Sequence, residues 1–566
     1  MKIKRNFIPE DFNITSPEDI LPFLNDLKDR KINSVKDLKK WWTDKSETEA
    51  FLEEDMAWRY IKMTCNTEDE KLADAFNFFV KDIEPLVSEY SDIFDGKLLE
   101  SPFVNELDKE KYDIALRKVK RSKELFRKEN IPLFSELQQK EREFGSISGA
   151  MTVTYGDEEM TLQKAGNYLK DTEREVRKEI FELIHERRIK DAEKLDNLLS
   201  DLIEKRQKVA ENAGFDNYRD YMHKALKRFD YSIDDVITFH NSIKETVLPL
   251  ANQIDEKRKQ KLGYDILRPY DTAVDPELKP ALKPFSDGKE LIDKAINVFN
   301  EVRPQYGAYL KIMKDNAYLD LNSRKGKAPG GYNYPLYESN IPFIFMNATG
   351  NQRDLETMMH EGGHAVHSFL SSNLGLVDFK ELPSEVAELA SMSMELISSE
   401  YWDIFYKNED DLKRAKRTHL EGVLNVLPWI ATVDKFQHLL YLTPHHTAEE
   451  RKELWVQTAQ EFGSSVVDWS GYEKYYTKLW QKQMHIFEVP FYYIEYGIAQ
   501  LGAIAIWRNF KQNPEKALDN YENALKLGYS KPIPEIYKTA GIEFNFGKEY
   551  IAELMDFVKS ELDKLQ

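Results

Sequence analysis

Cysteine is almost missing from this chain: Cys65 is the only one in 566 residues. No internal disulfide can form, which fits a reducing cytosol, and zinc sites built from paired thiolates are excluded. Cys65 lies in IKMTCNTED and reads as a packing residue. Basic charge is also short, with 80 Lys and Arg against 99 Asp and Glu and a formal charge of −19. A nucleic acid or an anionic membrane would need basic patches, so neither is expected as a partner. Long apolar runs are lacking too. The closest, 496–507, is too short to span a bilayer and contains Gln500. The start, MKIKRNFIPEDF, is basic but has no apolar signal-peptide core, so a cytoplasmic location is expected. A phosphate-binding loop is not found either: Gly326 to Gly331, GKAPGG, does not match GxxxxGK[ST] and reads as a flexible loop on the substrate side.

What is present is helix after helix. The length permits two to four domains or one large two-lobed body with a sizeable core. Ser16-Pro17-Glu18 is a helix start, and Ser34 opens a second helix carrying Leu38, Trp41 and Trp42. Thr152 to Tyr155 and Met160 to Leu162 flank a Gly-Asp turn and predict a β-hairpin. A charged helical run over 172–212 follows, ending near Gly214, and its charge density predicts a solvated face. The proline-rich stretch 264–287 is the most linker-like part of the chain. Between 317 and 349 the pattern changes to short strands, AYLDL, GYNYPL and PFIFMNAT. A free edge of such a sheet can align an extended peptide through its backbone, and the expectation places that edge at Phe343 to Asn347.

The stretch after the strands, LETMMHEGGHAVHSFL, has apolar residues at helical spacing and predicts a helix over 355–370. Residues four apart share one helix face, so His360 and His364 can offer nitrogens to a single metal ion, and Glu361 projects beside them. A carboxylate there can take a proton from an attacking water, as a hydrolytic zinc site requires. His367 is a third histidine in the same stretch. Gly362 and Gly363 each cost about 1 kcal/mol relative to Ala inside a helix, which predicts that something approaches the backbone closely. Two neutral histidines leave zinc one protein ligand short. Downstream, KELPSEVAELASMSMEL offers Glu381, Glu385 and Glu388, with Glu395 further along, and chemistry alone does not choose among the first three.

The last informative stretch is HIFEVPFYYIEYGIAQLGAIAIW, 485–507. Tyr492 and Tyr496 are four apart and are expected to share a helix face, with His485 just upstream. Phenol and imidazole donors near a reacting carbonyl can stabilise a developing oxyanion. His445-His446 precedes a helix and reads as a loop and cap.

Taken together, MMHEGGHAVHSFL, AELASMSMEL and HIFEVPFYYIEYGIAQLGA resemble the oligoendopeptidase F and Pz-peptidase branch of the thimet oligopeptidase family of zinc metallopeptidases. AMTVTYGDEEMTLQKAGNYL and YLDLNSRKGKAPGGYNYPL extend the resemblance over most of the chain. The resemblance implies a mainly α fold: a two-lobed, helical, zincin-type body around a deep substrate channel, with a small β-sheet next to the zinc helix. It divides the chain into an N-terminal helical region, 1–200, forming part of the channel wall, and a catalytic region, 201–566.

The family pattern places the ligand glutamate before x-x-Ser with a second Glu one heptad later. That matches Glu388, Ser391 and Glu395, leaving Glu381 as runner-up. One Zn2+ on His360, His364 and Glu388 is therefore implied, with Glu361 as general base and His485, Tyr492 and Tyr496 as oxyanion donors. Tyr493 could exchange roles with Tyr492 and is otherwise a substrate contact, together with Phe343, Phe345 and Asn347. The implied activity is cleavage of internal bonds in short oligopeptides. A metallo-carboxypeptidase or dipeptidyl carboxypeptidase is the alternative, followed by a catalytically inactive peptide-binding protein.

Overall fold

The computed structural model describes residues 4–565, and it is mainly helical with two small sheets. No helix among the described residues is long and apolar enough to cross a membrane. The chain forms two compact units, each assembled from three stretches: 1–125, 283–412 and 502–544 in the first, and 126–282, 413–501 and 545–566 in the second. The expected division at 200/201 is of another kind, and it falls inside the helix Ala192–Asn212. The passage from the second unit to the first at 282/283 lies within the proline-rich stretch. That stretch is pinned rather than loose, because Asp271 is fully buried and receives Arg174 and Arg177 at 2.7 and 2.9 Å.

In the first unit the helices Pro17–Asp29 and Val35–Cys65 start where the sequence places them. The Ser34 hydroxyl accepts from the Asp37 backbone N–H at 3.1 Å, satisfying one of the unpaired donors at a helix start. Trp41 and Trp42 are buried in one apolar cluster with Leu376 and Phe379, tying the N-terminal helices to the chain that follows the HExxH helix.

The expected hairpin forms in the second unit, with β1 (Thr152–Tyr155) antiparallel to β2 (Glu158–Thr161). Gly156 takes φ +61 at the turn, a backbone conformation in which glycine carries no Cβ penalty. The charged run is two helices, Arg174–Ile189 and Ala192–Asn212, broken at Lys190-Asp191. Its charges are not all solvated: Arg177 and Arg206 are fully buried.

The second sheet belongs to the first unit and corrects an expectation. It comprises β3 (Leu319–Asn322), β4 (Tyr332–Tyr334) and β5 (Phe343–Ala348) in the order β3-β5-β4. The strand Phe343 to Asn347 is therefore central. It pairs parallel with β3 and antiparallel with β4, so both its edges are occupied and it has none to offer a peptide. The edges of this sheet are β3 and β4.

Candidate metal centre and active site

A short connection from β5 sets the HExxH helix, Gln352–Ser371. Gly350 turns the chain with φ +96, where a Cβ would lie 2.9 Å from the Phe285 carbonyl oxygen. Asn351 then caps the helix by accepting from the Asp354 N–H at 3.0 Å, while the Asp354 carboxylate receives the N–H groups of Thr349, Gly350 and Asn351. These local bonds fix where the helix begins and hence which face His360 and His364 share.

The second helix, Ser384–Ser398, packs along the first with unusual closeness. At Gly363 a Cβ would stand 2.7 Å from Ser391 Cα, 2.9 Å from the Ala390 carbonyl oxygen and 2.9 Å from Met394 Cβ. At Gly362 it would meet the Phe299 ring at 2.4 Å. The two glycines are thus explained by packing: a backbone passes over one and an aromatic ring over the other. The hydroxyls of Tyr521 and Tyr537 hold the second helix by donating to the carbonyls of Ala390 and Glu385 at 2.8 and 3.0 Å.

This approach brings Glu388 to the histidines. His360, His364 and Glu388 each present a ligand atom, all within 4.8 Å of one another. His360 Nε2 lies 3.2 Å and His364 Nε2 3.7 Å from the same Glu388 oxygen, Oε2. Ligands about 2.0–2.1 Å from a tetrahedral zinc ion stand about 3.3 Å apart, so the spacing and the donor set both fit that metal. His360 Nδ1 faces Glu395 Oε1 at 2.6 Å, which leaves Nε2 directed at Glu388. The Ser391 hydroxyl donates to Glu388 Oε2 at 2.9 Å and fixes that carboxylate in turn. The two imidazole side chains keep 21 % and 19 % exposure, so the cluster is open on one side, unlike a sealed structural site.

The electrostatics treat the two imidazoles differently. Burial opposes charge on His360, but hydrogen bonds to Glu388 and Glu395 overrule it and hold the imidazole well above its ordinary range. Burial pushes His364 down to about 4. Burial would raise Glu388, yet the two imidazoles and Ser391 bring it to about 2, so it stays an anion. Glu361 is buried beside them, and that burial pushes its carboxyl up to about 7 against the pull of His360. The Asn333 side chain, on β4, donates to the Glu361 carbonyl at 3.1 Å and ties the sheet to the helix.

The other expected residues fall as follows. Glu381 is not in the cluster: it is half exposed and bound to Lys118 Nζ at 2.7 Å. Glu385 is buried on the same helix but is not part of the cluster. His367 is buried and pushed down to about 3 by that burial, hence neutral and part of the core.

Phe343 and Phe345 are buried and pack with Trp58 and Tyr332, which removes them as side-chain contacts for a substrate. The Asn347 amide is spent on the carbonyls of Ala328 and Gly330, at 2.8 and 2.9 Å, bracing the GKAPGG loop. Lys327 of that loop lies over the Phe345 ring at 4.4 Å and pairs with Asp320 at 2.9 Å, so the loop is anchored at this point.

In the second unit His485 sits among three tyrosine rings, with centroids at 6.1 Å for Tyr492, 4.6 Å for Tyr493 and 5.8 Å for Tyr496. The helix begins at Tyr493 and Tyr492 lies just before it, yet the Tyr492 and Tyr496 rings meet edge to face with centroids 5.3 Å apart, so the two stand side by side as expected. The break has a cause: Phe491, buried, takes φ +68. Its N–H donates to Gln437 Oε1 at 2.9 Å and its carbonyl accepts from Arg228 at 2.5 Å, while Arg228 also pairs with Glu495 at 2.8 Å.

Arg206 holds the segment carrying His485 by donating to the carbonyls of Ile486, at 3.2 Å, and Phe487. Neither arginine was singled out by sequence. For Arg206 a signal existed: it falls on the apolar stripe Leu199, Leu202, Ile203, Val209 and Ala210 of an otherwise charged helix.

A helical fold that buries an HExxH helix against a glutamate helix, with three ligand atoms meeting on an open face, defines a metallopeptidase. Comparison with known proteins agrees. The model of peptidase family M3 matches residues 167–556, a model of the M3 N-terminal domain matches 16–126, and the chain belongs to peptidase family M3. It is a metalloendopeptidase by class. An oligoendopeptidase F homolog of Borreliella burgdorferi is 24% identical over 447 residues, covering 77% of this chain and 71% of that protein. Oligopeptidase PepF of Bacillus subtilis is 25% identical over 420 residues, covering 71% of this chain, and the matched chain spans 58% of that protein's length. The solved structure of Pz peptidase A with an inhibitor superposes with a TM-score of 0.91 at 25% identity, covering 98% of this chain and 99% of that one.

Proposed function

We propose that this chain is a zinc-dependent endopeptidase that cuts internal bonds of short oligopeptides in the cytoplasm. The observation carrying the reading is the His360, His364 and Glu388 cluster, with spacing and donor chemistry that fit a tetrahedral zinc ion. When bound, zinc would supply Lewis acidity, polarising the scissile carbonyl and lowering the pKa of the attacking water.

The rest of the chemistry falls to the chain. Glu361, buried next to the ligands, accepts a proton from the attacking water and returns it to the leaving amine. Glu395 orients His360, and Ser391 orients Glu388. His485 and the tyrosines ringed around it donate to the developing oxyanion; Tyr493, nearest to the imidazole, joins Tyr492 and Tyr496 as a candidate donor. Backbone alignment of the peptide passes from the central strand to β4, an edge strand joined to the HExxH helix through Asn333.

Product analysis tests the reading. A short, extended peptide is offered with both ends blocked and again with a free C-terminus. Mass spectrometry is expected to find internal cuts in both. Removal of C-terminal residues or dipeptides from the free form alone would replace the endopeptidase by a carboxypeptidase.

A further inference from the structure

His360 and His485 meet opposite kinds of neighbour at the same ring nitrogen. At His360, Nδ1 faces the Glu395 carboxylate at 2.6 Å, so Nδ1 carries the proton and Nε2 is bare, as a metal ligand must be. At His485, Nδ1 faces the side-chain amide nitrogen of Gln483, also at 2.6 Å. A third side chain settles which arm of that amide is turned to the ring. Trp429 Nε1 lies 3.0 Å from the other arm, and an indole N–H can only donate, so the atom it meets is Oε1 and the NH2 is left for His485. An amide NH2 donates and does not accept. His485 Nδ1 is therefore the acceptor, and the proton of the neutral ring lies on Nε2.

The two partners are themselves held in place. Gln483 is buried, its backbone N–H donates to the Trp480 carbonyl at 3.0 Å, and its carbonyl accepts from the Ile486 N–H at 3.2 Å. Trp429 comes from the helix Glu409–Leu442, meets Trp455 edge to face with centroids 5.8 Å apart, and has the Lys482 ammonium 4.6 Å from its ring centroid. Tyr492, Tyr493 and Tyr496 bring their phenol rings against the imidazole.

We infer that Trp429 and Gln483 are positioning residues that hold His485 as the neutral Nε2–H tautomer, the form in which Nε2 can donate to a developing oxyanion. A ring with its proton on Nδ1 would present a lone pair at Nε2, which repels an oxyanion. The inference rests on the reading that His485 works at the scissile bond, and it adds what keeps the imidazole fit for that task.

Gln483→Glu tests it. The carboxylate keeps the size of the side chain, and one oxygen can still accept from Trp429. Its other oxygen accepts where the amide donated, so it draws a proton to Nδ1 and raises the His485 pKa above the ordinary value of about 6.5. Below the raised value the imidazolium carries both protons and Nε2 still donates. Above it, the proton that leaves is the one on Nε2. For an end-blocked, quenched-fluorescent peptide, kcat/KM of the Gln483→Glu enzyme is expected to fall about 100-fold as pH rises through a limb that the wild type lacks. Gln483→Met fills the same space and directs neither tautomer, so it should lower kcat/KM by a small factor that does not change with pH. A Gln483→Glu profile parallel to that of the wild type overturns the inference, because a merely structural role gives no reason for a new limb.

The tautomer can also be read without catalysis, from the 15N shifts of His485 in protein labelled with 15N-histidine and assigned by their loss in His485→Gln. A protonated Nε2 and bare Nδ1 are expected in the wild type, exchanged in Gln483→Glu at alkaline pH. The expected tautomer in a protein that cuts no peptide would leave the inference standing and the proposed function wrong. A bare Nε2 in an active peptidase would do the reverse.

Discussion

Gly363→Ala isolates the contact on which the metal site depends. The added methyl would stand 2.7 Å from Ser391 Cα and 2.9 Å from both the Ala390 carbonyl oxygen and Met394 Cβ. Carbon contacts settle at about 3.5–4.0 Å, so the glutamate helix must retreat by roughly 0.8 Å. Two of the three obstacles are backbone atoms, and no side-chain rotation relieves them. Overpacking of this kind costs about 1–3 kcal/mol, while replacing Gly by Ala in a helix regains about 1 kcal/mol, so the net change in stability is about 0–2 kcal/mol. The effect on the metal is larger in proportion. A metal site tolerates about ±0.2 Å in ligand distance, and the retreat occurs one turn from Glu388.

Zinc affinity, measured by competition with a chromophoric chelator, is therefore expected to fall about ten-fold or more, with thermal unfolding little changed. Gly362→Ala is the control: its methyl meets the buried Phe299 side chain, which belongs to neither ligand helix, so the loss there should fall on stability and not on zinc affinity. A Gly363→Ala protein with wild-type zinc affinity would refute the claim that backbone contact at this position sets the ligand geometry.

Glu361→Gln should lower kcat by about 10^2–10^4 while zinc content, measured by atomic emission, stays at one per chain. Glu395→Gln weakens the anionic partner of His360 Nδ1 and should reduce zinc affinity about 10–100-fold in the same chelator competition. Cys65 should be inert: burial, aided by Asp320, pushes its thiol up to about 12. At pH 8 only about one thiol in ten thousand would be ionised, against roughly a quarter for an ordinary thiol, so alkylation should run about a thousand-fold slower until denaturant is added. The direction matters, since reactivity should climb with pH rather than level off near pH 9.

Which parts were legible in the sequence follows from the range of each interaction. The HExxH helix, the Ser34 start and the hairpin at Gly156 are set by neighbours within a few residues, and such spacing can be read directly. Gly362 and Gly363 announced a close approach, though not what would approach. Strand order is a non-local property, and the edge was misplaced for that reason. A hint was present: FIFMNA is apolar without alternation, as expected of a strand covered on both faces, and Ile344, Phe345 and Met346 are buried in succession.

The four-residue spacing of Tyr492 and Tyr496 was legible and their rings do meet, but the left-handed conformation of Phe491, held by Arg228 and Gln437 from distant parts of the chain, starts the helix only at Tyr493 and could not be read from the sequence. Buried arginines are likewise invisible to charge counting, because Arg206 reaches the Ile486 carbonyl and Arg228 reaches Glu495, each more than 200 positions away.

The most direct test of the central claim is hydrolysis of an end-blocked, quenched-fluorescent peptide by the purified protein before chelation, after it, and after zinc is returned. Internal cleavage is expected to disappear with chelator and to recover with zinc in the wild type but not in Glu388→Ala. Cleavage undiminished in metal-stripped protein, or recovery in Glu388→Ala equal to wild type, would contradict it.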